Sequence, residues 1–400
     1  MHMKKKNIMQ KNICIVLFLI LVSCTNNIVT VENEKFGTLT ATYDLEIVNE
    51  KKIPIDDETA PNPIYMQFIT DSIGDRYLTF LNRRNNTILL YDYNTASYIT
   101  KITYDREGPN GVLGIAGYYI KNMDSIYLYN RPMIELVLAD STGKVKDKIS
   151  LKGEQEDWYL YNPQYEFNTV CPIIEISNNL LLPGFNPFDL KDSLVNIFRF
   201  TTCFDINNNN ISHLFTYPYE IYGNNANWSD PMYMQVYPSL MPTGEIVHSF
   251  ATSHNLYIQK WNEDSKRIVY GGSNVARNIT SIDWDINSGN IPNELIYTNI
   301  IQSDLYSAIL YDPWREVYYR YMLQGIPGAT TNTNPNSKKI IIIIFDKEYN
   351  YLGETTIGTG EEWNWNNSFI TEEGLNIENK DMNDIEEEFL YFKIFNIRKK

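Results

Sequence analysis

Tyr77-Leu-Thr-Phe-Leu-Asn82, Thr87-Ile-Leu-Leu-Tyr-Asp-Tyr93 and Tyr98-Ile-Thr-Lys-Ile-Thr-Tyr104 are three short hydrophobic runs separated by polar turns. They are rich in β-branched and aromatic residues, which suit a pleated, half-buried surface, so each reads as a strand. The same grammar recurs as Ser125-Ile-Tyr-Leu-Tyr-Asn130, Ile134-Glu-Leu-Val-Leu-Ala139 and Val145 to Leu151. Further copies run from about 168 to 217, from Tyr233 to Tyr270 and from Tyr306 to Ile357. The last begins near Phe369 and ends with Phe389-Leu-Tyr-Phe-Lys-Ile-Phe395. A period of about 40 to 50 residues holding three or four strands is the signature of propeller blades. The expected fold is therefore all-β, a six-bladed β-propeller. Thr40 to Val48 is left over as an extra strand, and an N-terminal strand completing the last blade would close the ring and remove the open edge.

Lys338-Lys-Ile-Ile-Ile-Ile-Ile-Phe345 supports this reading. A strand with one wet face alternates apolar and polar residues, whereas a blade strand packs against neighbouring blades on both faces and need not. Five consecutive isoleucines fit a central blade strand, with Lys338 and Lys339 as charged gatekeepers against aggregation. The same alignment puts Cys171 on the first strand of its unit and Cys203 on the third. Two strand spacings are about 9 to 10 Å, beyond the roughly 7 Å reach of a disulfide, so both are expected as buried thiols.

The N-terminus states a compartment. Lys4, Lys5, Lys6 and Lys11 form a basic region ahead of an unbroken apolar run from Ile13 to Val22. That run is about half the roughly 20 residues a spanning helix needs, so it reads as a cleaved signal. Leu21-Val22-Ser23-Cys24 closes it in the pattern of a lipoprotein signal, making Cys24 the expected acylated N-terminus. The expected organisation is a signal over 1–23, a lipidated Cys and tether over 24–36, and one propeller domain over 37–400. Cleavage would remove four lysines and no acid, turning 34 basic residues into 30 against 49 acidic ones and a net charge of −15 into −19. Such a surface repels phosphate backbones and anionic headgroups alike. Nucleic acid is excluded as a partner, and membrane affinity is left to the acyl chains.

The Leu21-Val-Ser-Cys24 lipobox, the Asp105-Arg-Glu-Gly-Pro-Asn110 loop entering a new blade and the segment Tyr311-Asp-Pro-Trp-Arg-Glu-Val-Tyr-Tyr-Arg320 together resemble an uncharacterised family of Bacteroides-type lipoproteins with TolB-like six-bladed propellers. Asn110 departs from that pattern, standing where acidic or small residues are usual. The resemblance implies a fold and an envelope location and carries over no activity. Surface display of such lipoproteins goes with an acidic cluster after the lipidated Cys. Thr25-Asn-Asn-Ile-Val-Thr-Val31 has none, so the periplasmic face of the outer membrane is the expected location.

Enzyme signatures are absent: no Walker loop, no G-x-S-x-G elbow and no H-E-x-x-H pair. His213, His248 and His254 are too few for a metal site and are expected in packing or at the surface. Asp205-Ile-Asn-Asn-Asn-Asn210 reads as a hairpin turn. Asp283-x-Asp285-x-Asn287, with Glu294 in the twelfth position, is the one calcium candidate, although Gly289 comes one place late. Asp71-Ser-Ile73, Asp124-Ser-Ile126 and Asp192-Ser-Leu194 resemble short O-glycosylation acceptors, a pattern that ordinary Asp-Ser turns share.

In a propeller, the loops joining one blade to the next share a face with those joining second and third strands. That face is expected to carry Arg83, Arg84, Arg106, Glu107, Arg131, Trp158, Trp228, Glu361, Trp363 and Trp365, arginines and tryptophans suited to stacking and paired hydrogen bonds around a channel mouth. Asp312-Pro-Trp-Arg315 reads as a tight turn on the other face, with Pro313 presetting it and Trp314 packed under a blade. The expected function is a binding module for a glycan, peptide or envelope-protein partner. A structural subunit is the second reading, and a lyase or hydrolase using Glu107, Glu361 and Glu362 the third.

Overall fold

The computed structural model describes residues 28–400 except 57, 60–62, 72, 188–189, 229, 264, 286–289 and 381–387. Cys24 and its signal lie outside the described residues, as does Asn287. Six four-stranded antiparallel sheets account for the body. Blade 1 runs Met66–Thr70, Arg76–Asn82, Thr87–Asp92 and Ser97–Thr103. Blade 2 occupies Ile115 to Ser150, blade 3 Ile174 to Thr216, blade 4 Val236 to Tyr270 and blade 5 Leu305 to Thr359. In each, the strands pair in chain order, and the inner strands of blades 4, 5, 6 and 1 lie beside one another in succession. Blade 6 takes Trp363–Thr371, Gly374–Asn379 and Phe389–Lys399 from the C-terminal end, and its outer strand is Tyr43–Pro54. That last pairing runs from Tyr43 opposite Lys399 to Pro54 opposite Phe389, six residues beyond the Val48 limit expected from sequence.

The isoleucine run shows why the sheets stack as blades. Lys339–Asp346 is the third strand of blade 5, hydrogen-bonded on both sides. All five isoleucines are buried. Alternate side chains enter different cores: Ile341, Ile343 and Phe345 pack into the cluster shared with blade 4, and Ile340, Ile342 and Ile344 into the one shared with blade 6. The two-residue period of a strand thus feeds two apolar interfaces at once. Lys338 is not the expected exposed gatekeeper. It is 3% exposed, and its ammonium donates to the carbonyls of Ile300 and Ser303, 2.7 Å each, at the C-terminal end of the helix Asn293–Gln302. Those carbonyls have no partner within the helix, so a cation there satisfies them. Lys339 keeps the exposed role.

Two inner strands escaped the sequence reading, Met66–Thr70 and Ile115–Asn122, so blades 1 and 2 begin earlier than the repeat suggested. Trp314 is also not packed under a blade but 50% exposed. The turn holds without it, because the buried Asp312 carboxylate accepts from the backbone N–H of Trp314 and Arg315 and pairs with the Arg315 guanidinium at 3.1 Å. Asp205 similarly caps its own hairpin through Asn207 N and Asn208 Nδ2, with Asn209 left-handed at the corner.

Cys203 lies on the third strand of blade 3, whereas Cys171 precedes the first, Ile174–Ile176, and is not on it as expected; both are free, buried thiols, and burial raises the Cys171 pKa to about 12. The thiolate is the reactive form. Neither is expected to react with maleimide in the native body, and both should react once it is unfolded in urea. Rapid native labelling at either position would show the blade 3 register to be wrong.

Segment 28–36, expected as part of a free tether, is bound to the body instead. Thr30 and Val31 pair with Thr280 and Ile279, and the buried Asn33 side chain donates to the carbonyls of Ser273 and Ala276 at 2.9 and 2.7 Å. The chain then descends beside blade 5, where Gly37 N and Thr42 N donate to Asn274 O and Leu352 O, 2.8 Å each.

Candidate functional site

The face that carries the blade-to-blade connections has the long loops, and at its centre the channel opens as a pocket of about 320 Å³. Its wall comes from segments leading into inner strands: Ile64, Glu166 to Asn168, Gln235 and Tyr237, and Asn364 to Asn366, with Phe185 and Met232 from neighbouring loops. Four aromatic rings and four primary amides therefore surround one carboxylate. The rings brace one another; Trp365 meets Tyr237 edge to face at 6.0 Å and Tyr321 at 6.3 Å. Partial burial and the like charge of Arg131 lower the Arg83 pKa, with Glu166 opposing them.

Below the pocket the axis is crossed by a buried polar chain. Met66 N donates to Thr169 Oγ1, Thr169 donates to Asn367 Oδ1 at 2.8 Å, and Asn367 Nδ2 reaches both Pro63 O and Glu378 Oε2. Asn364, a pocket residue, donates to the same Glu378 oxygen at 2.7 Å. Glu378 is 4% exposed and, among the described residues, forms no ion pair; burial raises its pKa to about 7 against the lowering effect of the two amides and the charge of Lys380. On the far side of this chain the bore opens again as a pocket of about 390 Å³ lined by Phe68, Tyr119, Pro172 and Phe369.

Of the residues expected at this face, only Trp365 lines the pocket. Arg83, Arg84, Glu107 and Arg131 stand exposed on the surrounding loops, and Trp158 is half-buried on a short helical turn outside the pocket. The Arg106 guanidinium is committed to Leu113 O, Arg83 O and Arg84 O at 2.8 to 3.0 Å, which ties two loops together. Glu361 is likewise engaged, accepting from Asn334 Nδ2 and Ser337 Oγ, while Glu362 caps Thr359 N. Two expectations are corrected. Trp228 is 3% exposed, with its indole N–H on Ile221 O and its ring between Tyr222 and Tyr233. Trp363 is 7% exposed and packs on Phe395. Both belong to the apolar core, because their side chains point into blade interfaces and not toward the axis.

The histidines do not converge. His213 bridges Asn162 and Thr202. His248 is enclosed by Phe200, Phe215 and Phe250, with burial lowering its pKa to about 3. His254 meets Tyr306 Oη at 2.8 Å and Val31 O. Among the described residues no group of three or more His, Cys, Asp or Glu side chains is gathered to hold a metal ion. Asp283 and Asp285 lie on the loop before the helix Asn293–Gln302, and Glu294 is in its first turn. No helix among the described residues is long and apolar enough to cross a membrane.

Sequence reasoning missed Glu166, Asn168, Gln235, Tyr237, Asn364, Asn366 and Glu378. All but Glu378 lie on an inner strand or the segment leading into one, and Glu378 lies on the second strand of blade 6.

Comparison with solved structures places this architecture among known ones. A member of the DUF4221 family from Bacteroides vulgatus superposes with a TM-score of 0.72 at 17% identity, over 94% of this chain and all of that one. A protein from Bacteroides fragilis described as exported superposes with a TM-score of 0.54 at 12% identity, over 92% of this chain and 98% of that one. At these identities the likeness shows the fold alone. No curated protein matches significantly. The family described as a domain of unknown function, DUF4221, matches residues 42–356, which spans blades 1 to 4, most of blade 5 and the outer strand of blade 6. The chain therefore belongs to the DUF4221 family, and its body is a six-bladed β-propeller.

Proposed function

We propose that this protein is a lipid-anchored envelope propeller that binds a glycan in its channel-mouth pocket. The observation that carries the reading is the chemistry of the wall. Trp365 offers an aromatic face to the apolar side of a sugar ring, and neighbouring hydroxyls would meet Asn366 together with the amide atoms of Asn364, Gln235 and Asn168 that are not committed to Glu378, Cys171 and Val170. A preformed concave site with a few convergent polar groups is the usual form of a small-ligand site. Catalysis is less well supported, because Glu361 and Glu362 are engaged in holding loops. Acylation at Cys24 supplies the anchor in this reading, and the periplasmic face of the outer membrane is the proposed location. Calcium near Asp283 and Asp285 is a separate proposal; chelator should then lower the melting temperature of the purified protein.

A thermal-shift screen against neutral oligosaccharides and short peptides tests the pocket. A ligand at a hundred times its dissociation constant should stabilise the fold by about 2.7 kcal/mol. Replacing Trp365 by Ala should abolish that shift while Trp158→Ala leaves it intact. Stabilisation by peptides alone would overturn the glycan reading, and stabilisation unaffected by Trp365→Ala would move the site elsewhere.

A further inference from the structure

The bound N-terminal segment fixes which face the anchor leaves from. Alternating strand direction places both the pocket and the 271–304 connection on the blade-to-blade face. The first described residues are fastened to that connection. Val29 N donates to Ser281 Oγ at 3.0 Å, Ser281 N donates back to Val29 O at 2.9 Å, and Asn33 N reaches Asn278 Oδ1 at 2.9 Å. Ile28 thus sits at the rim of blades 4 and 5 on the channel-mouth side. Four peptide steps separate it from Cys24, and they span at most about 14 Å even fully extended. The opposite face is reached only by Tyr43, after the segment has descended along blade 5. A lipid on Cys24 therefore cannot hold the opposite face against a bilayer without lifting the whole body over its own edge.

The long loops of the channel-mouth face expose Leu113, Met133, Tyr159, Ile197, Met232 and Tyr297, but the opposite face exposes Ile73, Met123 and Trp314, so the fastening of the N-terminal segment and not apolar exposure selects the face. Exposed acids such as Glu154, Glu156 and Asp157 stand beside Tyr159 and would repel anionic headgroups. We infer that the channel-mouth face is the membrane-facing one and that it docks on an uncharged, zwitterionic lipid surface. This rests on the lipid-anchor reading above. Its consequence for the pocket is that the ligand is presented from the membrane, as a membrane-attached sugar, and does not arrive as a bulky soluble polymer.

The test uses the full chain made with its own signal, extracted from membranes and reconstituted on phosphatidylcholine vesicles. Ile197→Cys on the channel-mouth side and Ile73→Cys on the opposite side would each carry a nitroxide; both positions are exposed, and the buried Cys171 and Cys203 stay unlabelled. Collisional relaxation by a nickel chelate on the lipid headgroup should be several-fold stronger at Ile197→Cys than at Ile73→Cys. Adding phosphatidylglycerol should reduce the difference. Equal or reversed relaxation in protein whose mass shows acylated Cys24 would overturn the inference about the face and leave the anchor standing. A mass without acyl chains would overturn the anchor reading and this inference with it.

Discussion

Replacing Arg320 by Met is expected to lower the unfolding free energy by about 1–3 kcal/mol, the cost of leaving buried acceptors without a donor. Arg320 lies on the second strand of blade 5 and is wholly buried. Among the described residues no carboxylate pairs with it. Its guanidinium instead donates to Ser249 Oγ at 2.9 Å and to the carbonyls of Gly271 and Ser253 at 2.8 Å, with longer bonds to Phe250 and His254. It also lies 3.9 Å from the centre of the Tyr306 ring. Burial lowers its pKa to about 10, so it remains charged at neutral pH. Hydrogen bonds from a charged donor are worth about 1.5–3 kcal/mol each, but desolvating the ion offsets much of their sum. Truncation removes the donors to Ser253 O and Gly271 O, whereas Phe250 O and His254 O keep the backbone N–H of Ser253 and Gly271. Lys, with three donors and no planar fork, should restore only part of the loss. Arg398→Ala is the contrast: its exposed pairs with Asp44 and Glu46 contribute little, so stability should barely move. Urea denaturation of the three variants measures this. An Arg320→Met protein as stable as the parent would mean that water reaches those carbonyls.

Arg320 also shows how much of this protein its sequence discloses. The segment Tyr311 to Arg320 was legible as a strand, a turn and a second strand, because Pro313 and Asp312 mark the turn and alternation marks the strands. That an arginine in the second strand would be buried was not legible. Its partners are one serine hydroxyl and backbone carbonyls 49 to 70 residues away, and backbone groups leave no mark on composition. The same distinction runs through the site. Blade number and the isoleucine strand could be read from local periodicity and turn residues. The pocket wall is assembled from blades 1, 3, 4 and 6, so it depends on which inner-strand ends meet at the axis. Trp228 and Trp363 were expected there because they sit in or beside the right loops, but loop membership does not say whether an indole turns to the axis or to a blade interface. Burial decided that, and it favoured the core, as it does for most large aromatic side chains.

Glu378 should make the protein less stable as pH rises from about 5 to about 8, and Glu378→Gln should remove that dependence. The carboxyl titrates near 4.5 when unfolded and at about 7 in the folded protein, since burial disfavours the carboxylate. Below pH 4.5 both states hold the proton and the group contributes no pH dependence. Between 4.5 and 7 the unfolded chain releases its proton while the folded one keeps it, so each step up in pH favours unfolding. Above 7 both are ionised and the full penalty stands, about 3 kcal/mol from a shift of this size. The opposite sign, stability rising through this window, is the ordinary behaviour of a carboxylate paired with a cation, and Glu378 forms no ion pair among the described residues. Gln keeps an acceptor for Asn364 Nδ2 and Asn367 Nδ2, so the crossing of the axis at Thr169 and Asn367 should survive the substitution. Subtracting the Glu378→Gln stability curve from the parent's isolates this one group from the other acids. A flat difference between pH 5 and 8 would mean that Glu378 is already ionised in the fold, compensated by water entering from the pocket side. A falling difference would show that the pocket wall at Asn364 rests on a neutral carboxyl at acid pH and on a carboxylate at alkaline pH. Ligand affinity at Trp365 should then change across the same window, because Asn364 donates to Glu378 and its partner's charge sets how firmly that amide is held.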